Sequence, residues 1–254
     1  MLVVFSIVMT IIYLESTDKK EETYTSSYNY EITIKANKTL HNATFYLPVP
    51  VSENESIVGQ QMMSKDFYNN SPEWNFSLVN TQHGTMLELS NKKIVPTYHS
   101  LPKPISEDQE VSKKDTINES NEYSEETPVL RPIKFTVGIT VKQSIDTKYP
   151  LGNESVLIPK YNLRITEPVN MVPPPEYIDP EYYEYESLIL AQYNTSELTD
   201  VEISIELTGT NEWWTGGWRF DTFQDTVNVR MNGMQNGWIS AEGSMITGDG
   251  IYDN

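Results

Sequence analysis

Alternation of apolar and polar residues, one by one, is the feature that most limits what this chain can become. In "YNYEITIKA" Tyr28, Tyr30, Ile32, Ile34 and Ala36 fall on one parity, with Asn29, Glu31, Thr33 and Lys35 on the other. The same two-residue period recurs at Phe45, Leu47, Val49 and Val51, at Trp74, Phe76 and Leu78, and at Ile133 to Val141. It returns at Val201 to Leu207, and "TVNVRMNG" and "GWISAEGSMI" close the chain as an expected hairpin across "NGMQNG". A period of two puts one side of an extended segment on a core and the other in water. Antiparallel sheets accept such one-sided strands. The pattern therefore predicts an all-β protein, an antiparallel β-sandwich. "YYEYESLILAQYN" is assigned to the strands for its tyrosines. Pro48 and Pro50 lack an amide donor, which predicts that "ATFYLPVPV" lies at a sheet edge or runs out as an arm.

The beginning of the chain breaks this pattern. Leu2 to Leu14 is a run of 13 residues without a charge, where a spanning helix needs about 20. It is read as a short N-terminal apolar helix, a membrane anchor or export signal (1–14), followed by a polar tether (15–23). The sandwich is expected in two parts, 24–99 and 133–254. Between them, residues 100–132 are rich in Glu, Ser, Lys and Pro, and read as a disordered acidic insertion or linker.

Charge and composition exclude several functions. The net charge of −18 is the wrong sign for nucleic acid, whose phosphates need clustered Lys and Arg. From Ile165 to Trp218 there are eleven acids and no Lys or Arg, read as a solvated acidic face. With no cysteine, disulfides, thiolate metal sites and cysteine nucleophiles are absent. His41, His83 and His99 have no ligand spacing, and no cofactor or metal is expected. No nucleophile elbow, phosphate loop or dinucleotide fingerprint is present, so no catalytic residue is assigned. A surface hydrolase using Asp221 and Asp225, with Glu212 nearby, is the least favoured alternative. The terminal "GDGIYDN", with Asp249 and Asp253, is read as a turn and not as a calcium loop.

Asn-x-Ser/Thr occurs at Asn37, Asn42, Asn54, Asn69, Asn75, Asn118, Asn153 and Asn194. Eight sequons are roughly twice what chance would give at this composition. With the apolar start they place the body outside the cytoplasm, as an N-glycosylated, single-pass cell-surface protein.

"NEWWTGGWRF" puts three tryptophans within six residues around a glycine pair. Two readings stay open. If Trp214 to Phe220 is extended, Trp214, Trp218 and Phe220 share an inward face as bulky core. The Gly216–Gly217 pair then makes a bulge or tight bend, Trp213 is the ring facing out, and Trp238 sits across from the cluster. The other reading is a carbohydrate-binding platform of Trp213, Trp214 and Trp218, with Arg219 and Asp221 as hydrogen-bonding partners.

The apolar start, "NATFYLPVPV", the sequon-rich strands and the terminal "NEWWTGGW…NGW…GDGIY" together resemble uncharacterised, membrane-anchored exported surface proteins of methanogenic archaea. The ratio of 14 Lys to 4 Arg fits a low-GC genome. The resemblance implies a cell-surface β protein with envelope proteins or glycans as partners, and it implies no activity. An apolar helix joined to a β domain is similar also to archaeal pilin-like subunits, which implies a second, assembly-forming role.

Overall fold

The computed structural model describes residues 20, 22–52, 55–64, 73–102, 123–167, 180–196 and 198–250. The apolar run, the sequons Asn54, Asn69 and Asn118, and Asp253 lie outside the described residues. Nearly everything described is antiparallel strand. In chain order the strands are β1 (Thr25–Ala36), β2 (Leu40–Val51), β3 (Asn75–Thr81), β4 (Gly84–Ile94), β5 (Thr97–Pro102), β6 (Tyr123–Arg131) and β7 (Ile133–Val141). They continue with β8 (Val156–Ile158), β9 (Tyr161–Thr166), β10 (Tyr182–Thr195), β11 (Asp200–Trp214), β12 (Trp218–Asn232) and β13 (Gln235–Ile246). One six-residue helix, α1 (Ile57–Met62), is capped by the Ser56 hydroxyl, which accepts from the Gly59 amide.

Eleven strands join in one sheet, with the order β3-β4-β2-β10-β13-β12-β11-β1-β7 and with β8 on β2 and β9 on β10. The sheet curls until its two ends meet. Phe135 on β7 lies 5.1 Å from Trp74, just before β3, and 5.3 Å from Phe76 on β3, both edge-to-face. The Tyr30 hydroxyl on β1 crosses the interior to the Pro48 carbonyl on β2 at 2.7 Å. Opposed layers are thus the two arms of a single curled sheet. The segments before and after residues 100–132 interleave within it, since β1 lies between β7 and β11, and β2 pairs with β10.

The inward faces are those that the alternation defines. Tyr30, Ile32, Phe45, Leu47, Val201, Ile203, Ile205, Leu207 and Val227 are buried in one cluster. Two glycines make room for rings: a Cβ on Gly209 would lie 2.2 Å from Phe223, and one on Gly243 would lie 2.1 Å from Tyr185.

One expectation is corrected. β2 is an interior strand and not an edge, because β4 flanks it through Pro48 and β10 through Tyr46. Its prolines are tolerated because pairing to β10 ends at Tyr46, and the Pro48 carbonyl is taken by Tyr30. At the two ends of 100–132 the described residues are strand. Leu101 and Pro102 pair with Ser124 and Tyr123, and β5 and β6 form a separate two-stranded ribbon. Backbone pairing there needs no large apolar face, so composition gave no sign of it.

Candidate functional site: a tryptophan hairpin

β11 alternates without interruption from Val201 to Trp213, so the odd positions face inward along its whole length. Trp213 is buried, stacked on Tyr24 with ring centres 6.1 Å apart. The Lys20 ammonium stands 5.7 Å from the Trp213 ring. Two residues earlier, buried Asn211 donates to the Ile145 carbonyl (2.8 Å) and accepts from the Ile145 amide (3.0 Å) and the Ser26 hydroxyl (2.8 Å). Asp221 is its cross-strand neighbour. Its carboxylate accepts from the Thr147 hydroxyl at 2.5 Å and the Asp249 amide at 2.8 Å. Asn211 and Asp221 therefore tie the 145–147 loop and the C-terminal segment to the hairpin.

Trp214 pairs with Trp218 across a turn of Thr215, Gly216 and Gly217, where Gly216 takes φ 75° and the Thr215 amide donates to the Gly217 carbonyl at 3.0 Å. A positive φ is where glycine is needed. The two indoles meet edge-to-face at 5.6 Å, and Trp218 and Phe220 are 53% and 45% exposed. Arg219 is exposed beside them.

This reverses the expected faces. Trp214, Trp218 and Phe220 turn outward, and Trp213 is the buried ring, because parity is inherited from Val201. The glycine pair makes the tight bend of the two forms expected, closing a hairpin. Of the five proposed ligand residues, Trp214 and Trp218 come together on an exposed face. Arg219 pairs with Trp213 and shares the opposite parity, exposed at the strand end, while Trp213 and Asp221 on that side are buried. Asp221 acts as an internal hydrogen-bond acceptor, which removes it from the platform.

Asp225 is equally occupied. Its carboxylate is fully buried and takes the Lys160 ammonium at 2.6 and 2.7 Å, the Tyr185 hydroxyl at 2.6 Å and the Leu157 amide at 2.9 Å. The ammonium also sits 3.7 Å above the Tyr185 ring. Burial pulls the Lys160 pKa down while Asp225 opposes it, and burial pushes the Tyr185 phenol well up. Asp221 and Asp225 are four residues apart on one strand, about 13 Å at the usual rise, whereas glycoside hydrolysis uses carboxylates about 5–9.5 Å apart. That pair is structural.

Sequence reading missed a second group of exposed rings. Trp238 does not lie across from the hairpin. In register it neighbours Leu190, whose other neighbour is Tyr46. Its ring lies 6.2 Å from Tyr46 and 4.6 Å from His83, whose Nδ1 is 2.8 Å from the Tyr161 hydroxyl. Leu190 and Met86 are buried but outside the main core cluster. The signal was available in part: Ala241, Gly243 and Met245 are inward, so Trp238 has the outward parity. β12 and β13 pair only from Gln224–Ile246 to Asn228–Glu242, and beyond that β13 follows β10. The split opens a polar trough of about 550 Å³ lined by Lys35, Glu202, Asn228, Arg230, Ser240 and Glu242.

The acidic run is partly neutralised by cations from other segments: Arg164 on Glu184, and Lys35 and Arg230 on Glu202. Four of the described sequon asparagines, Asn42, Asn75, Asn153 and Asn194, are exposed, and Asn37 is half-buried against Asp200. Among the described residues no three His, Asp or Glu side chains gather as a metal site, and no helix is long and apolar enough to cross a membrane.

No family model matches the chain. No curated protein and no solved structure matches it either.

Proposed function

We propose that this chain is a non-enzymatic, membrane-tethered β protein of the cell surface, N-glycosylated, in an envelope structural or interaction role of the kind met in methanogen surface proteins. Its two sheet arms close over one another as a sandwich. The observation that carries the reading is the placement of Asn42, Asn75, Asn153 and Asn194 on the exposed surface, where an attached glycan meets solvent. The apolar run Leu2 to Leu14 supplies the tether. The internal bonding of Asp221 and Asp225 weighs against the hydrolase alternative. Intact-mass and glycopeptide analysis of protein from its native membrane fraction tests it. Glycans on Asn42, Asn75 or Asn194 are expected, and unmodified sequons on a cytosolic protein reject it.

A carbohydrate-binding role is the second reading, and the exposed rings of Trp238 and Tyr161, with half-buried Tyr46 and His83 beside them, favour it. Indole faces stack on sugar C–H surfaces. Glycan-array binding that disappears in Trp238→Ala supports it.

A further inference from the structure

We propose that the tip of the β11–β12 hairpin is a membrane foot: Trp214, Trp218 and Phe220 enter the headgroup–acyl boundary of the lipid bilayer next to the point where the chain is anchored. The inference rests on the tether proposed above and adds to it a second, non-covalent contact with the same bilayer.

Two observations converge on this end of the molecule. First, the described chain begins there. The Trp214 amide donates to the Thr23 hydroxyl at 2.9 Å, Tyr24 stacks on Trp213, and Lys20 stands over the Trp213 ring. Thr25 pairs with Glu212, two residues before Trp214. Only five residues lie between Leu14 and Lys20, so the end of the apolar run is within about 22 Å of Lys20 even when that link is fully extended. An anchor at Leu14 keeps this end of the sheet near the lipid surface.

Second, the tip gathers large rings on a face whose neighbouring strand positions are polar. Three large rings are outward and two are about half exposed, although the strand neighbours at Glu206, Thr208 and Thr210 on the same face are polar. Indoles favour the interface, where the ring is buried and the N–H stays wet. Arg219 and Lys20 lie with Trp213 on the other face of the hairpin, and Glu212 is the cross-strand neighbour of Phe220, so the contact is carried by the rings and not by charge.

The test uses the full chain reconstituted into phosphatidylcholine vesicles whose acyl chains carry bromine near the headgroup. Flotation reports the anchor, and quenching of tryptophan emission reports the foot. Trp214 and Trp218 are two of five tryptophans, so loss of about two-fifths of the emission is expected. Trp214→Phe/Trp218→Phe should abolish the quenchable part with flotation unchanged. Aqueous acrylamide, applied to the unsubstituted chain, should reach the tip rings in detergent and lose access on reconstitution; this readout needs no variant. A chain that floats with equal emission in brominated and plain vesicles overturns the foot and leaves the tether standing. Quenching that persists in the double variant overturns it as well. Binding of a soluble glycan by the tip in floated protein, without quenching, assigns the rings to sugar instead. A chain that does not float overturns both readings.

Discussion

Replacing Asp225 by Asn strips the counter-ion from an ammonium that the fold has already removed from water. Lys160 retains 8% of its side-chain surface and Asp225 none, with oxygens at 2.6 and 2.7 Å from Nζ. Breaking a buried pair by removing one partner costs about 3–5 kcal/mol, because the remaining charge stays desolvated. The Tyr185 ring, 3.7 Å from Nζ, keeps about 1–2 kcal/mol of attraction for the cation, so the lower end of that range, about 3 kcal/mol, is expected. Lys160→Met should cost a similar amount. It leaves a carboxylate that the Tyr185 hydroxyl and the Leu157 amide still solvate. The double variant Lys160→Met/Asp225→Asn buries no charge and keeps one acceptor for those two donors. It should lose only about 1–2 kcal/mol, the cost of one unmade hydrogen bond. The singles thus overshoot the double by more than about 3 kcal/mol, a coupling that only direct contact produces. Urea unfolding followed by tryptophan fluorescence measures each term, and in a chain of this size the single variants should melt about 6–12 °C lower. Two results refute the reasoning: singles that cost under about 1 kcal/mol, or a double equal to their sum. An activity that vanishes in Asp225→Asn while stability is untouched would move this carboxylate from structure to catalysis.

Trp213→Ala should lower stability by about 3–5 kcal/mol, as buried aromatic truncations do. Trp218→Ala should cost under about 1 kcal/mol, since that ring is 53% exposed, and equal losses in thermal melts would contradict the assigned faces. High pH should unfold the protein through its tyrosines. Burial raises the phenols of Tyr28, Tyr30 and Tyr185, and pushes Tyr183 and Tyr193 up to about 12, from an ordinary 10.0. A raised folded pKa means the folded chain holds protons that the unfolded chain releases. That stability is complete below pH 10 and is lost as pH climbs toward 12 and beyond. Tyrosinate absorbance should rise in one step together with loss of the circular-dichroism signal. Gradual ionisation at constant dichroism would refute it.

Local alternation alone determined which residues of most strands face inward, because side-chain direction in an extended chain follows from the backbone of that chain and from nothing else. Tyr28 to Ala36, Phe135 and Val137, and Val201 to Leu207 are buried as their parity requires. The same rule, carried forward from Val201, would have placed Trp213 inside. Strand order, by contrast, has no local signature. That β1 lies between β7 and β11, that β13 leaves β12 at Asn228 to follow β10, and that Trp238 therefore meets His83 and Tyr46 are outcomes of pairing between distant segments. Asp225 illustrates the division. Its inward parity was readable, whereas its partners come from positions 160 and 185 and exist only once the sheet has curled. Whether an inward carboxylate is a catalyst or a fastening depends on those partners, and they are set by tertiary structure because hydrogen bonds and ion pairs form between groups close in space, however far apart along the chain.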